Sequence, residues 1–316
     1  MISLVAALGA GIGVTALQNR RRQSRARTTH PPRGQFIDVG GTRIHAVEIG
    51  QPAGSAPEVV LIHGSNGSTR DMSFRLAPAL APRYRVLMLD RPGLGYSDPL
   101  GAQPATLEEQ ATVLSEAART MRFERPIVLG QSYGGAVALA WALHRPDGLS
   151  ALVSVSGVSH PWDGSLDLFY RVTSTRAGQH LLIPLITAFV PDQTVRRALT
   201  DVFAPQEVPQ GYAEHLGIGL TLRSGTLRAN ARQRAALFED IKKLSPHYDR
   251  ITAPAELVHG DADTTVGLQI HARRLAEDLP AANLTVLPGI GHMPHHVSTP
   301  EVVDAVDRAA LRAGLL

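Results

Sequence analysis

The amino-acid sequence predicts an α/β fold: a mostly parallel sheet covered by helices on both faces and interrupted by an inserted helical subdomain. Three observations carry this. Short apolar runs rich in branched residues, such as Val59-Val60-Leu61-Ile62 and Ala151-Leu152-Val153-Ser154-Val155, lack the polar alternation of a half-exposed sheet, so their strands are buried on both faces. Helical segments separate these runs, as a parallel sheet requires. Finally, Gly130-Gln131-Ser132-Tyr133-Gly134 lies where one run, Pro126-Ile127-Val128-Leu129, passes directly into a small-residue helix. Glycines on both sides of the serine permit a sharp turn that lifts its hydroxyl clear of the sheet.

Taken in order, residues 36–39 and 42–48 form a β-hairpin closed by Gly40-Gly41. A buried strand at 59–62 precedes a helix over 68–80, and a strand at 85–89 precedes a helix over 106–121. The latter opens on a capping box, Thr106-x-x-Glu109. The Ser132 strand-turn-helix and the strand 151–155 follow. From about 158 to 250 there is no strand pattern, only helical segments dense in apolar residues, such as Leu181-Leu182-Ile183-Pro184-Leu185-Ile186. The alternation then resumes with a strand at 255–258, a helix over 267–278, a strand at 284–287 and a closing helix from Thr299.

A chain of 316 residues, 44% of them hydrophobic, can bury a full core. The absence of cysteine excludes disulfides, thiolate metal sites and a cysteine nucleophile. The basic pI, near 9.5, is a local property. Arg20, Arg21, Arg22, Arg25, Arg27 and Arg33 precede residue 34 with no acid among them, and the other 25 basic residues face 28 acidic ones. The body is therefore near −3, and a polyanion-binding or nucleic-acid surface on it is not expected.

Residues 2–17 are an uncharged run of 16, followed at once by the arginines. A cleaved export signal would carry positive charge before the run. Here it follows, which predicts a single-pass membrane anchor with the body on the cytoplasmic side, an exported protein being the alternative. The organisation read from sequence is thus a hydrophobic anchor (1–18), a basic, Pro-containing linker (19–34), a first core part (35–157), a helical insertion (158–250) and a second core part (251–316).

A serine nucleophile needs a base to take its proton, and that base needs an acid to fix its tautomer. The candidate base is His292, in Gly289-Ile290-Gly291-His292-Met293 after the last strand. The candidate acid is Asp263, in His259-Gly260-Asp261-Ala262-Asp263 after the preceding strand, with Asp261 its competitor and Asp163 and Asp167 remoter options. All sit where a parallel sheet delivers its loops to one edge. The oxyanion donors are expected to be the amide of Tyr133 and, in His63-Gly64-Ser65-Asn66-Gly67, the amide of Ser65. His63 reads as a structural residue of that loop, and His295 and His296 as exposed or capping side chains.

Together the His63-Gly64 turn, the Asp90-Arg91-Pro92-Gly93-Leu94-Gly95-Tyr96-Ser97-Asp98 loop, the Ser132 elbow, Gly260-x-x-Asp263 and Gly291-His292 resemble the α/β-hydrolase superfamily over about residues 35–311, in its serine-nucleophile branch with a helical cap. The resemblance implies an eight-stranded, mostly parallel sheet, a Ser132–Asp263–His292 triad, no metal and no organic cofactor. It implies acyl transfer to water: a carboxylesterase first, with a C–C bond or lactone hydrolase and a non-enzymatic binding protein as alternatives. Relatives with an aspartate nucleophile are set aside by Ser132 itself. The apolar cap and the N-terminal run suggest a small or medium apolar ester or acyl substrate and membrane association through residues 2–17.

Overall fold

A computed structural model describes residues 2–101, 103–164 and 166–316, with side chains from Ala10 onward. Its strands are β1 (Gln35–Val39), β2 (Thr42–Gly50), β3 (Glu58–Ile62), β4 (Arg85–Leu89), β5 (Ile127–Gln131), β6 (Ala151–Val155), β7 (Ala255–Gly260) and β8 (Ala282–Leu287). They form one eight-stranded sheet in the order β1-β2-β4-β3-β5-β6-β7-β8. β1 and β2 form the expected hairpin, with Gly40 and Gly41 at φ of 60° and 86°, as a two-residue turn of inverted handedness requires. β2 runs antiparallel to β4, and every later pairing is parallel. β4, β5, β6 and β7 are buried along their whole length, which is why their sequences show no alternation.

In chain order the helices are α1 (Ile2–Thr29), α2 (Thr69–Met72), α3 (Leu76–Leu80), α4 (Leu107–Thr120), α5 (Tyr133–His144), α6 (Leu168–Thr173), α7 (Ile183–Phe189), α8 (Asp192–Phe203), α9 (Tyr212–Leu216), α10 (Ile218–Thr221), α11 (Ser224–Leu244), α12 (Arg274–Asp278), α13 (Pro294–Val297) and α14 (Thr299–Arg312). One face of the sheet is covered by α4, α5 and α12, the other by α3 and α14. The Thr106–Glu109 capping box opens α4 as read from sequence. Helices α6–α11 form the insertion between β6 and β7. The last of them serves two layers, since Leu237, Ile241 and Leu244 at its C-terminal end enter the main core.

The N-terminus corrects the sequence reading. Among the described residues no helix is long and apolar enough to cross a membrane, so the single-pass anchor assigned to residues 1–18 is not supported, nor is the localisation built on it. The physical reason is length: sixteen helical residues rise about 24 Å against a hydrocarbon core of about 30 Å, and the next turns bring in Arg20, Arg21 and Arg22. Nor do residues 19–29 behave as a linker, because α1 continues unbroken to Thr29 and lies on the cap. Arg22 donates to the carbonyls of Thr187 (3.3 Å) and Val190 (2.7 Å) at the C-terminal end of α7, and pairs with Asp192 at the start of α8 (2.7 Å). Ala26 is buried, and His30 Nε2 donates to the Glu214 carbonyl.

The second half of α1 is therefore part of the cap's packing. The partly buried, charge-assisted bonds to helix-end carbonyls are worth about 1–3 kcal/mol together, the exposed pair to Asp192 little. Removing residues 1–33 should lower the melting temperature by roughly 3–10 °C. A thermal melt of the truncated chain beside the full one checks this, and identical melting curves would show that α1 contributes nothing.

Candidate active site

β5 ends at Gln131 and α5 begins at Tyr133, so a single residue makes the turn. That residue, Ser132, has φ 54° and ψ −117°, a conformation that costs a non-glycine residue about 1–3 kcal/mol. The flanking glycines are required by close approach. A Cβ on Gly130 would stand 2.1 Å from the Gly134 carbonyl oxygen, and one on Gly134 would stand 2.2 Å from that of Ile62. Strand and helix can meet at this angle only with nothing on either side of the serine.

The loops after β7 and β8 bring the acid and the histidine together. His292 Nδ1 lies 2.8 Å from Asp263 Oδ2, while Asp263 Oδ1 accepts the backbone N–H groups of Thr265 (2.8 Å) and Val266 (2.9 Å). Burial opposes the charge on Asp263, but hydrogen bonds from His259 and His292 and from the Val266 amide outweigh it and hold the carboxyl well below the usual range. Asp263 Oδ2 can only accept from Nδ1–H, so the tautomer of His292 this bond selects is the one with Nε2 as acceptor. No hydrogen bond joins Ser132 Oγ to Nε2 among the described residues; the Gln131 side-chain amide stands 3.5 Å from it instead. Contacts of this kind tighten in substrate complexes.

Asp261, the competing acid, is exposed and accepts the Gly289 N–H at 2.6 Å, which fixes the turn leading to His292. Asp167 caps α6 from an exposed position, and Asp163 is exposed. His295 and His296 depart from expectation. Both are buried around Asp71, whose Oδ1 takes hydrogen bonds from His296 Nε2 (2.8 Å) and the Tyr212 hydroxyl (2.6 Å). This cluster ties α13 to α2 and to the cap helix α9. Burial, with His295 beside it, pushes His296 down to about 4, so its imidazole is neutral at physiological pH.

The loop after β3 lies against the Ser132 turn, a Cβ on Gly64 falling 3.2 Å from that of Ser132. Neither the Ser65 nor the Tyr133 N–H has a protein acceptor among the described residues, and Tyr133 starts a twelve-residue helix, where such N–H groups point outward. His63 shapes this loop, as its sequence suggested. Its Nε2 accepts the Arg91 N–H (3.0 Å), so Nδ1 holds the proton and donates to the Gly64 carbonyl (2.9 Å). Burial and the nearby Arg91 push His63 down to about 4 and keep it neutral.

The cap is pinned at both ends of this site. Asn230 Oδ1 accepts the Asn66 N–H (3.0 Å), and Asn66 Nδ2 donates to the Tyr170 hydroxyl (3.1 Å). Gln206 bonds the carbonyl of Gly289 and the N–H of Gly291 (2.7 and 2.9 Å), bracing the loop that carries His292. These polar cap residues were not legible in the sequence, because nothing local marks their partners.

Residues 57–176 match the profile of the alpha/beta hydrolase fold family. The chain is 30% identical over 263 residues to a 2-hydroxy-6-oxononadienedioate/2-hydroxy-6-oxononatrienedioate hydrolase of Cupriavidus pinatubonensis, covering 79% of this chain and 84% of that one. Among solved structures it is similar to a bacterial membrane phospholipase A (TM-score 0.66, 21% identity, 100% of this chain and 98% of the other). It is also similar to an enol-lactonase of Burkholderia xenovorans (TM-score 0.66, 20% identity, 88% and 100%). With an eight-stranded sheet, an interrupting helical cap and a relative of this identity over most of its length, the chain belongs to the α/β-hydrolase superfamily.

Proposed function

We propose that this protein is a serine hydrolase that cleaves carboxylic esters of small or medium apolar substrates through an acyl-enzyme. One observation carries the reading above all: the 2.8 Å bond from His292 Nδ1 to an ionised Asp263, which leaves Nε2 free to accept a proton at the edge where Ser132 turns. Ser132 Oγ attacks the ester carbonyl and its proton passes to His292 Nε2. The resulting imidazolium is stabilised by Asp263, and the alkoxide that develops on the carbonyl oxygen is met by the Ser65 and Tyr133 amides. His292 then gives the proton to the departing alcohol. Water enters by the same steps in reverse order, releasing the acid. Nothing in this sequence calls for a metal or an organic cofactor.

Apolar cap residues left exposed, among them Leu168 (61%), Leu181 (68%) and Phe189 (51%), support a lipophilic substrate. A second reading, C–C bond or lactone hydrolysis with the same residues, is favoured by the names of the Cupriavidus and Burkholderia relatives. The test offers the full chain p-nitrophenyl esters of increasing acyl length, an enol lactone and a dienoic 1,5-diketone. Ester release that peaks at one chain length supports the first reading. Silence on esters with turnover of the lactone or diketone replaces it by the second. Silence on all three, with Ser132 unlabelled by a fluorophosphonate, would leave a binding protein.

A further inference from the structure

Arg91 is fully buried, and among the described residues no carboxylate pairs with it. A buried cation without a counter-ion is costly. Burial pushes Arg91 down to about 10, still protonated at neutral pH. A second cation, Arg234, adds to that cost, while the groups that hold Arg91 are neutral and specific. Nε donates to Gln110 Oε1 (3.1 Å), Nη2 to Gln233 Oε1, and Nη1 to the Gly64 carbonyl (3.1 Å), while the guanidinium carbon lies 3.8 Å from the centre of the Tyr133 ring. The Gly64 carbonyl belongs to the same peptide group as the Ser65 N–H. One guanidinium therefore touches both residues that supply the oxyanion amides.

We infer that Arg91 is a positioning residue for the oxyanion hole: it holds the Gly64–Ser65 peptide with its N–H turned toward the Ser132 hydroxyl and polarises that N–H, while its stacking fixes Tyr133. The inference rests on the reading of Ser132 as nucleophile. A cation on a carbonyl strengthens the N–H across the same amide, as in a chain of hydrogen bonds, and His63 Nδ1 adds a second donor to the same oxygen. Stacking of a guanidinium on a ring also restrains the ring's residue. The Asp-Arg-Pro-Gly loop thus reaches the reaction through Arg91.

The test uses the full chain with Arg91→Gln and Arg91→Lys, each normalised to sites titrated by a fluorophosphonate. The glutamine variant should lose between about 10- and 100-fold in kcat, less than the ~10²–10³ of losing a donor outright. KM should change little, and affinity for a trifluoromethyl ketone, whose adduct needs the hole, should fall in parallel. The lysine variant should recover part of both. Should Arg91→Gln not fold, Gln233→Met frees one end of the guanidinium, keeps its charge, and should give smaller losses of the same two kinds. Parental kcat and ketone affinity per titrated site, with only the melting temperature lowered, would overturn the inference. Ketone affinity does not depend on which bond the enzyme cleaves, so failure on esters alone leaves this readout intact. A parent that the fluorophosphonate does not label would overturn the nucleophile reading and this inference together.

Discussion

Ser132→Ala should lower kcat by about 10⁵–10⁶-fold, the scale seen when a serine nucleophile is removed from a hydrolase triad, with no loss of fold stability. The two halves of this expectation have separate causes. Without Oγ there is no acyl-enzyme, and the amides of Ser65 and Tyr133 can then assist only direct attack by water. Stability should hold because Oγ makes no hydrogen bond among the described residues, so no buried partner is left unsatisfied. The backbone at φ 54° is equally strained for serine and alanine. Replacement by glycine, which adopts that region freely, should raise the melting temperature while abolishing activity as completely. A melt of each variant beside its ester kinetics separates these effects. An alanine variant retaining more than a hundredth of the parental kcat would remove Ser132 from the mechanism.

What the sequence disclosed follows from the range of each interaction. The hairpin turn, the buried strands and the α4 capping box are set by neighbours in the chain, and each appears where residue pattern alone puts it. The elbow was legible because its constraints are local: a strand, a helix, and two glycines that admit no Cβ. The N-terminal error has the opposite origin. Residues 2–17 look like an anchor when only their own lack of charge is considered, whereas the helix runs on because Arg22 and His30 have partners more than 160 residues away. His295 and His296 were misread for the same reason, since Asp71, which gathers them, stands more than 220 residues earlier. Arg91 was visible as part of a motif, but its part depends on the direction of one carbonyl, which no residue type encodes.

Asp263→Asn should reduce kcat by about 10⁴-fold, whereas Asp261→Asn should leave it nearly unchanged. The asparagine oxygen can still accept the N–H groups of Thr265 and Val266 that Asp263 Oδ1 now accepts, so the loop after β7 keeps its form. The amide nitrogen then faces His292 Nδ1 as a donor. Nδ1 must become the acceptor, the proton moves to Nε2, and the nitrogen that should receive the serine proton is already occupied. The variant also has a signature in acid. The Asp263 carboxyl is held below its usual value, so its contribution to stability is complete above about pH 4 and is lost as pH falls through the lower folded value. The Asp263→Asn chain should therefore unfold less steeply with acid than the parent. Among the described residues the Asp261 side chain bonds only the Gly289 amide, from an exposed position, and asparagine preserves that bond. The pair of substitutions thus separates the carboxylate that fixes the tautomer from the one that shapes a turn: a larger kinetic loss from Asp261→Asn would reverse their roles, and equal small losses would leave His292 working without an acid.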